Sequence, residues 1–408
     1  MEALQSPHNS TMDGMRALAI ILVIFFHVNF VLVKLLPETG LLAHIEDIPF
    51  LFNISWHALG SEVIFFLSAY LLTLSLLKQL EATGKIDFYH FYIKRLARIL
   101  PLYVIAVALY APTVKFDLKD FIANLFFISK FFGLTTIIPV GWSLELQMQF
   151  YLLLPALVIL LNRFSVPLFI LFAALIGSLY LRWSFLQNPD FLEIKFAEMY
   201  QNKVSDTQKD SYYLIQYRMS ALILGMICAY MMTYQFESLS KIYKDTVFSW
   251  LLVFAGLAMV FIAAFTPIHD RHSWFYIHLS DSGYIAFMAW NRALFIIGAM
   301  SVLFKLLIDS NRMKWAVVIL GNRAFRYISQ SIYPLYLFHF PFILLGFVMT
   351  YWTVDREAIV SVNLFQLLSV LIISVVSAAI FAYTVHRFVE LPIQRQILTR
   401  FQKRGPSS

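Results

Sequence analysis

About ten apolar runs along this chain are each long enough to cross a bilayer as a helix, and that repeated length limits what the sequence can fold into. A hydrocarbon core about 30 Å thick takes about 20 apolar residues at the helical rise. The runs fall near 12–34, 57–79, 89–112, 142–162, 166–185, 213–234, 247–267, 287–308, 329–350 and 363–388. The fourth and fifth are divided mainly by the polar pair Asn162 and Arg163. Composition points the same way: 60% of the 408 residues are hydrophobic and 13% charged. Soluble domains are nearer about half and about a quarter. The expected fold is all-α and polytopic, about ten transmembrane helices around a polar central cavity.

Basic residues orient this arrangement. Lys78, Lys85, Lys94, Arg95 and Arg98 follow the second run. Lys241 and Lys244, then Lys305, Arg312, Lys314, Arg323 and Arg326, and finally Arg387, Arg395, Arg400, Lys403 and Arg404 fall on the same side. The alternate segments carry Glu38, Glu46 and Asp47, then Asp190, Glu193, Glu198, Asp206 and Asp210. By the positive-inside rule both termini are expected in the cytoplasm. The net charge of +7 is then a topology signal, and no nucleic-acid partner is expected, because the basic residues are dispersed among the runs. The single cysteine, Cys228, rules out an intrachain disulfide and a thiolate metal cluster. The first run is full length and lacks a small-residue cleavage pattern, so it is expected to stay as a span. One membrane domain is expected over 1–395, followed by a short basic cytoplasmic tail at 396–408. The outer loop near 186–212 is too short for a domain of its own.

Against this background the ionisable residues stand out. Arg16 opens the first run and His27 follows eleven residues later, about 16 Å deeper along a helix axis. That is about half of the hydrocarbon core. A ring at that depth is either functional or a core histidine bonded to a neighbouring helix, and alone it does not decide between the two. Glu62, near the head of the second run, has three readings: it orients His27, it pairs with Arg218 or Arg292, or it sits at the outer interface. Arg95 and Arg98 are three apart and share a helix face. Two guanidinium forks at the inner interface suit phosphate oxygens, although lipid-headgroup contact explains such a pair as well.

The fourth run opens with Trp142, then Glu145, Gln147 and Gln149. Trp142 and Tyr151 can serve as interface anchors, whereas three polar side chains at the head of a span suit a wet cavity. In the ninth run Ser329 and Tyr333 share a face, as do Tyr336 and His339. Pro334 and Pro341 are expected to kink this helix and free backbone carbonyls, which is tolerated where a helix lines an enclosed cavity. These residues together describe a polar interior. Trp142, Glu145, Gln147, Tyr333, Tyr336 and His339 are its candidate substrate-binding groups.

The pieces, taken in order over nearly the whole chain, resemble the acyltransferase 3 family of integral-membrane acyltransferases. Arg16 and His27 keep that family's arginine, ten residues, histidine spacing. The Gly60 to Tyr70 stretch is similar, with Glu62 for the usual Asp and Ala69 for the usual Gly. Arg95 and Arg98 with Pro101, the stretch from Trp142 to Tyr151, Arg218 with Gly225, Ser329 to His339, and the closing His386 to Pro392 continue the likeness. One departure concerns chemistry: Gln147 stands where the family usually has a glutamate, and Glu145 lies two residues earlier. Two residues turn a helix by about 200°, so Glu145 does not replace it.

The resemblance implies about ten spans in the cell inner (plasma) membrane. It implies transfer of an acyl group, usually acetyl, from cytoplasmic acetyl-CoA to a hydroxyl of a cell-surface or lipid-linked carbohydrate. It makes His27 the catalytic histidine and places Arg16, Arg95 and Arg98 on the donor side; Glu62, standing where the family usually has Asp, is expected to be catalytic with His27. The likeness is to the stand-alone membrane form, with no fused hydrolase-like domain expected. The expected partners are the acyl-CoA donor, a carbohydrate or lipid-linked glycan acceptor, and membrane lipids. Neutral histidine can act as base or nucleophile near neutral pH. A carrier of a lipid-linked sugar or lipid uses the same broken helices and buried ionisable groups, and donor binding separates the two readings. No metal is expected, since two histidines without a third placed ligand do not make a site. Trp56, His57, Trp183, Phe185, Tyr212 and Trp274 are available for stacking on sugars.

Overall fold

The structure, a computed structural model, describes residues 7–35, 58–187, 218–266, 278–353, 355, 359 and 361–402. Among these residues the regular structure is helical throughout. The long helices of the first half are α1 (Pro7–Leu35), α2 (Leu59–Thr83) and α3 (Phe88–Tyr110). A short α4 (Leu118–Leu125) leads to α5 (Gly141–Leu161) and α6 (Pro167–Leu186). The second half holds α7 (Met219–Tyr234), α8 (Phe236–Lys244), α9 (Thr246–Phe265), α10 (Asp281–Ile308) and the short α11 (Lys314–Leu320) and α12 (Arg323–Gln330). It ends with α13 (Ile332–Tyr351), α14 (Leu364–Val385) and α15 (Leu391–Gln402). Among the described residues nine helices are long and apolar enough to cross a membrane, or ten if the pair α7–α8 counts as one. The expected acidic outer residues Glu38, Glu46, Asp47, Asp190, Glu193, Glu198, Asp206 and Asp210 lie outside the described residues. So do Trp56, His57, Tyr212, Trp274, Lys403 and Arg404.

Three details differ from the expected map. The sixth run does not form one straight span: α7 turns through 92° into α8 at Gln235. The ninth run begins later than expected, because the chain breaks at Ser331 between α12 and α13. Pro334 therefore falls in the first turn of α13, where its missing N–H removes no helical bond. The tenth run continues beyond its expected end. A π-helical turn over His386–Glu390 carries α14 into α15, which packs on α3, and the helix passes residue 395 without interruption.

Local chemistry starts and stops these helices. Asp87, Ser280, Asn322 and Asn363 each accept a backbone N–H at a helix start, which satisfies donors that would otherwise be orphaned. Gly84 closes α2 at φ 69°, a left-handed conformation that glycine adopts without a steric penalty. Between α3 and α5 the chain folds on itself through polar contacts. Asn124 bonds the backbone of Thr135 and Ile137, Asp120 accepts from Thr135, and the Tyr103 hydroxyl donates to the Asn124 carbonyl.

Helix α1 is central to the packing. It lies against α2, α11, α12, α13 and α14. Close approach depends on missing side chains. A Cβ at Gly60 would stand 2.4 Å from the Ala19 carbonyl oxygen, and one at Gly225 would stand 2.5 Å from that of Phe66. These contacts bring α2 onto α1 and α7 onto α2, the small-residue packing that membrane helices rely on.

Pro341 shows how an interrupted membrane helix is repaired. It lacks the N–H that would bond the Leu337 carbonyl four residues back. The Tyr110 hydroxyl of α3 donates to that carbonyl instead, at 3.1 Å. Tyr110→Phe should therefore lower stability by about 1–3 kcal/mol, the typical penalty for an unsatisfied buried acceptor. In a Pro341→Ala background, where the backbone N–H returns, the same change should be nearly neutral. Thermal melting of the detergent-solubilised protein measures this double-mutant cycle. Equal losses in the two backgrounds would count against the account.

Candidate active site

The polar residues gather on the faces of α1, α2, α3, α5 and α13 that meet inside the bundle. They surround a cavity of about 140 Å³. At one part of its wall stand Arg16, Arg95 and Arg98, with Tyr151 and Tyr333 beside them. Ser68 and Gln147 line the next part, where Gln147 Nε2 donates to Ser68 Oγ at 2.6 Å. Ser143 and Tyr336 line it as well, and their hydroxyls lie 2.5 Å apart. Ser143 donates to the Val140 carbonyl, so the Tyr336 hydroxyl is the donor between the two.

Each arginine is held differently. Arg16 Nη1 lies 3.8 Å from Asp13, which also accepts from Ser329 of α12 at 2.8 Å. Arg95 lies one turn before Ile99 on α3, whose carbonyl accepts from the Tyr333 hydroxyl at 2.7 Å. The Arg95 Nε is buried with no hydrogen-bond partner among the described residues. An orphaned buried donor is uncommon, and an anionic oxygen is what such a guanidinium fork is shaped to receive.

The two histidines of the sequence meet. His27 Nδ1 lies 3.1 Å from His339 Nε2, and His339 Nδ1 lies 2.8 Å from the Tyr336 carbonyl oxygen. The rings are 4.9 Å apart, with Phe26 and Phe340 against His27 at 4.9 Å and 4.8 Å. Neither histidine lines the cavity; Tyr336 stands between the cavity and the pair, its ring 6.2 Å from that of His339. Among the described residues no three His, Cys, Asp or Glu side chains come together as a metal-binding group.

Other expected site residues lie elsewhere. Glu62 pairs with Arg218 and, at 3.1 Å, with Arg292. Arg182 is near enough to act on it electrostatically. The Arg218 guanidinium stacks over Trp142 at 5.0 Å. One carboxylate thus ties the start of α2 to α7 and α10. Glu145 turns to the loop before α5, accepting from the Ser129 hydroxyl and from the Lys130 N–H. Its contacts fold that loop, and it does not line the cavity. Ser68, Ser143 and Tyr151 also line the cavity; they fall inside the stretches that carry the family resemblance, and none of them was among the candidate site residues.

An acyltransferase domain profile matches residues 9–385, from α1 to the end of α14. The chain belongs to the acyltransferase 3 family. Two similar relatives are the O-acetyltransferase OatA of Staphylococcus aureus strain NCTC 8325 / PS 47 and the same-named protein of strain MRSA252. Each is 26% identical over 420 residues, covering 97% of this chain. The chain spans 59% of the length of these relatives. No solved structure matches it. Every segment that carried the resemblance up to Val385 lies inside the family match. The closing segment from His386 lies just beyond it, in the π turn and the head of α15.

The Glu62 cluster has a measurable consequence. Breaking a buried pair by removing one partner typically costs about 3–5 kcal/mol, because the other charge is left uncompensated. Glu62→Ala should lower the melting temperature and folded yield sharply. Glu62→Met combined with Arg218→Met and Arg292→Met should recover much of the loss, read by fluorescence-detected size exclusion after heating. A Glu62→Ala protein as stable as the parent would contradict this role.

Proposed function

We propose that this protein is an integral-membrane O-acyltransferase of the plasma membrane, with both termini in the cytoplasm. It moves an acetyl group from acetyl-CoA to a hydroxyl of a cell-surface or lipid-linked carbohydrate. One observation carries the reading: a cavity inside the bundle has three arginines on its wall and ends one tyrosine short of a histidine pair. The family membership and the O-acetyltransferase names of the relatives support the same reading.

In this reading Arg16, Arg95 and Arg98 receive the donor's phosphates. The polar groups along the cavity, Ser68, Gln147, Ser143 and Tyr336, accompany the pantetheine arm. From Arg16 to His27 is about 16 Å of helix rise, a separation that this arm is long enough to span. His27 takes the proton of the acceptor hydroxyl as that oxygen attacks the thioester carbonyl. The carbon–sulfur bond breaks, and the departing thiolate takes the proton back. The products are an ester and free coenzyme A, with His27 regenerated. Acyl transfer through an acyl-histidine needs the same unprotonated nitrogen. Glu62 contributes through the arginines it holds. Trp142 supports that cluster from beneath Arg218, and Glu145 shapes the loop over the head of α5. Gln147 cannot exchange a proton as a glutamate would and serves as a hydrogen-bonding group.

Acetyl-CoA binding and turnover by the purified protein test the proposal. Charge-assisted hydrogen bonds are each worth about 1.5–3 kcal/mol, so Arg95→Ala with Arg98→Ala should weaken donor binding about 100-fold or more. His27→Ala should bind the donor normally and turn it over no faster than background. A folded wild-type protein that binds no acetyl-CoA at millimolar concentration would favour a carrier of a lipid-linked sugar or lipid.

A further inference from the structure

The hydrogen bonds around the histidine pair settle where its protons are. A backbone carbonyl accepts and cannot donate. The Tyr336 carbonyl oxygen lies 2.8 Å from His339 Nδ1, so that nitrogen carries a hydrogen. Neither ring meets a carboxylate among the described residues, and a charge buried among aromatic rings without a counter-ion is disfavoured. The pair is therefore two neutral rings. In a neutral imidazole the second nitrogen is an acceptor. His339 Nε2 thus presents its lone pair to His27 Nδ1 at 3.1 Å, and the hydrogen between them belongs to His27. With Nδ1 protonated, His27 keeps its own lone pair on Nε2.

We propose that His339 is a positioning residue that fixes His27 in the Nδ1–H tautomer, so that Nε2 is the nitrogen free to take a proton or an acyl group. The inference rests on the reading of His27 as the reacting group and adds a role that the sequence assigned to substrate contact. The chain of orientation runs from the Tyr336 carbonyl through His339 to His27. An orienting group of this kind sets which nitrogen of a histidine can react. In serine hydrolases a carboxylate does the same for its histidine and also stabilises the imidazolium. His339 supplies the orientation through a neutral ring.

Local backbone secures the arrangement. His339 is fully buried. It sits two residues before Pro341, in the turn of α13 that Tyr110 of α3 holds through the Leu337 carbonyl. The ring of His27 also meets the Val23 carbonyl one turn earlier on α1. The test must therefore separate a tautomer set by His339 from one set by α1 itself.

The experiment compares wild type, His27→Ala, His339→Ala and His339→Gln as full-length protein in lipid nanodiscs. Acetyl-CoA turnover is read by thiol release, acetyl-CoA binding is measured separately, and the histidine tautomers are read by 15N NMR. Glutamine places an oxygen acceptor near the position of Nε2. His339→Ala should lower kcat by about 10²–10³-fold while KM and donor Kd stay within about threefold. His339→Gln should recover activity to within about tenfold of wild type. The His27 signal, identified by its loss in His27→Ala, should show Nδ1–H with bare Nε2 in wild type and a tautomer mixture in His339→Ala.

Wild-type kcat in His339→Ala, with His27→Ala inactive, would overturn the inference and leave the proposed function intact. Turnover in His27→Ala would sink the role of His27 itself. If His339→Ala does not fold, the other two readouts decide. An Nε2–H signal for His27 in wild type, or an inactive but folded and donor-binding His339→Gln, overturns the inference.

Discussion

Inside an apolar medium a polar group has no water to turn to, so each one must be answered by another part of the chain. Much of this structure follows from that single demand. The Leu337 carbonyl freed by Pro341 draws in a tyrosine from α3. Glu62 draws arginines from α7 and α10. Lys305 lies in α10 with no exposed surface and is surrounded by the Tyr243 carbonyl, the Ser249 hydroxyl and Asp309. In each case a contact that begins as an obligation of burial becomes a tie between helices far apart in sequence. Apolar packing alone gives membrane helices little reason to choose one neighbour over another. These polar ties supply the choice.

The same demand separates the two kinds of buried polar residue in this chain. Glu145 and Asn124 are satisfied by groups near them along the chain and fold it locally, and Lys305 is satisfied by groups of neighbouring helices. The groups around the cavity are different. Arg95 keeps a buried nitrogen with no partner among the described residues, and Ser68 and Gln147 answer one another across a wall that also faces open space. A buried donor left unanswered on the wall of a cavity is a group that a bound anion can answer.

Much of this was legible in the sequence, and the parts that were not have physical reasons. The helices themselves are written in run length, and His27 and His339 were visible as rings too deep in apolar runs to be decoration. That they touch was not legible, because helical spacing places residues on a face and says nothing about which faces meet. Pro334 and Pro341 look alike in sequence, yet only Pro341 interrupts a helix, since the break at Ser331 moves Pro334 into a first turn. Lys305 read as a residue of the cytoplasmic boundary because charge at the end of a run is usually solvated. Its burial depends on Ser249 and Tyr243, which lie on other helices. Glu62 was open among three readings for the same reason: Arg218 and Arg292 are remote in sequence, and only the packing of α7 and α10 brings them in.

Arg16 and His27 share one uninterrupted helix. No glycine or proline falls between them, and α1 runs from Pro7 to Leu35 without a break. The interval between them is thus a ruler, graduated in backbone hydrogen bonds. Neither the packing of neighbouring helices nor the bend at α7–α8 enters into its length. A single residue inserted between the two would swing one around the axis by about 100° relative to the other and leave the total charge, hydrophobicity and composition of the chain almost untouched. The tolerance of this membrane protein to change is therefore uneven: wide along its lipid-facing surfaces, and nearly absent in the count of residues along one stretch of α1.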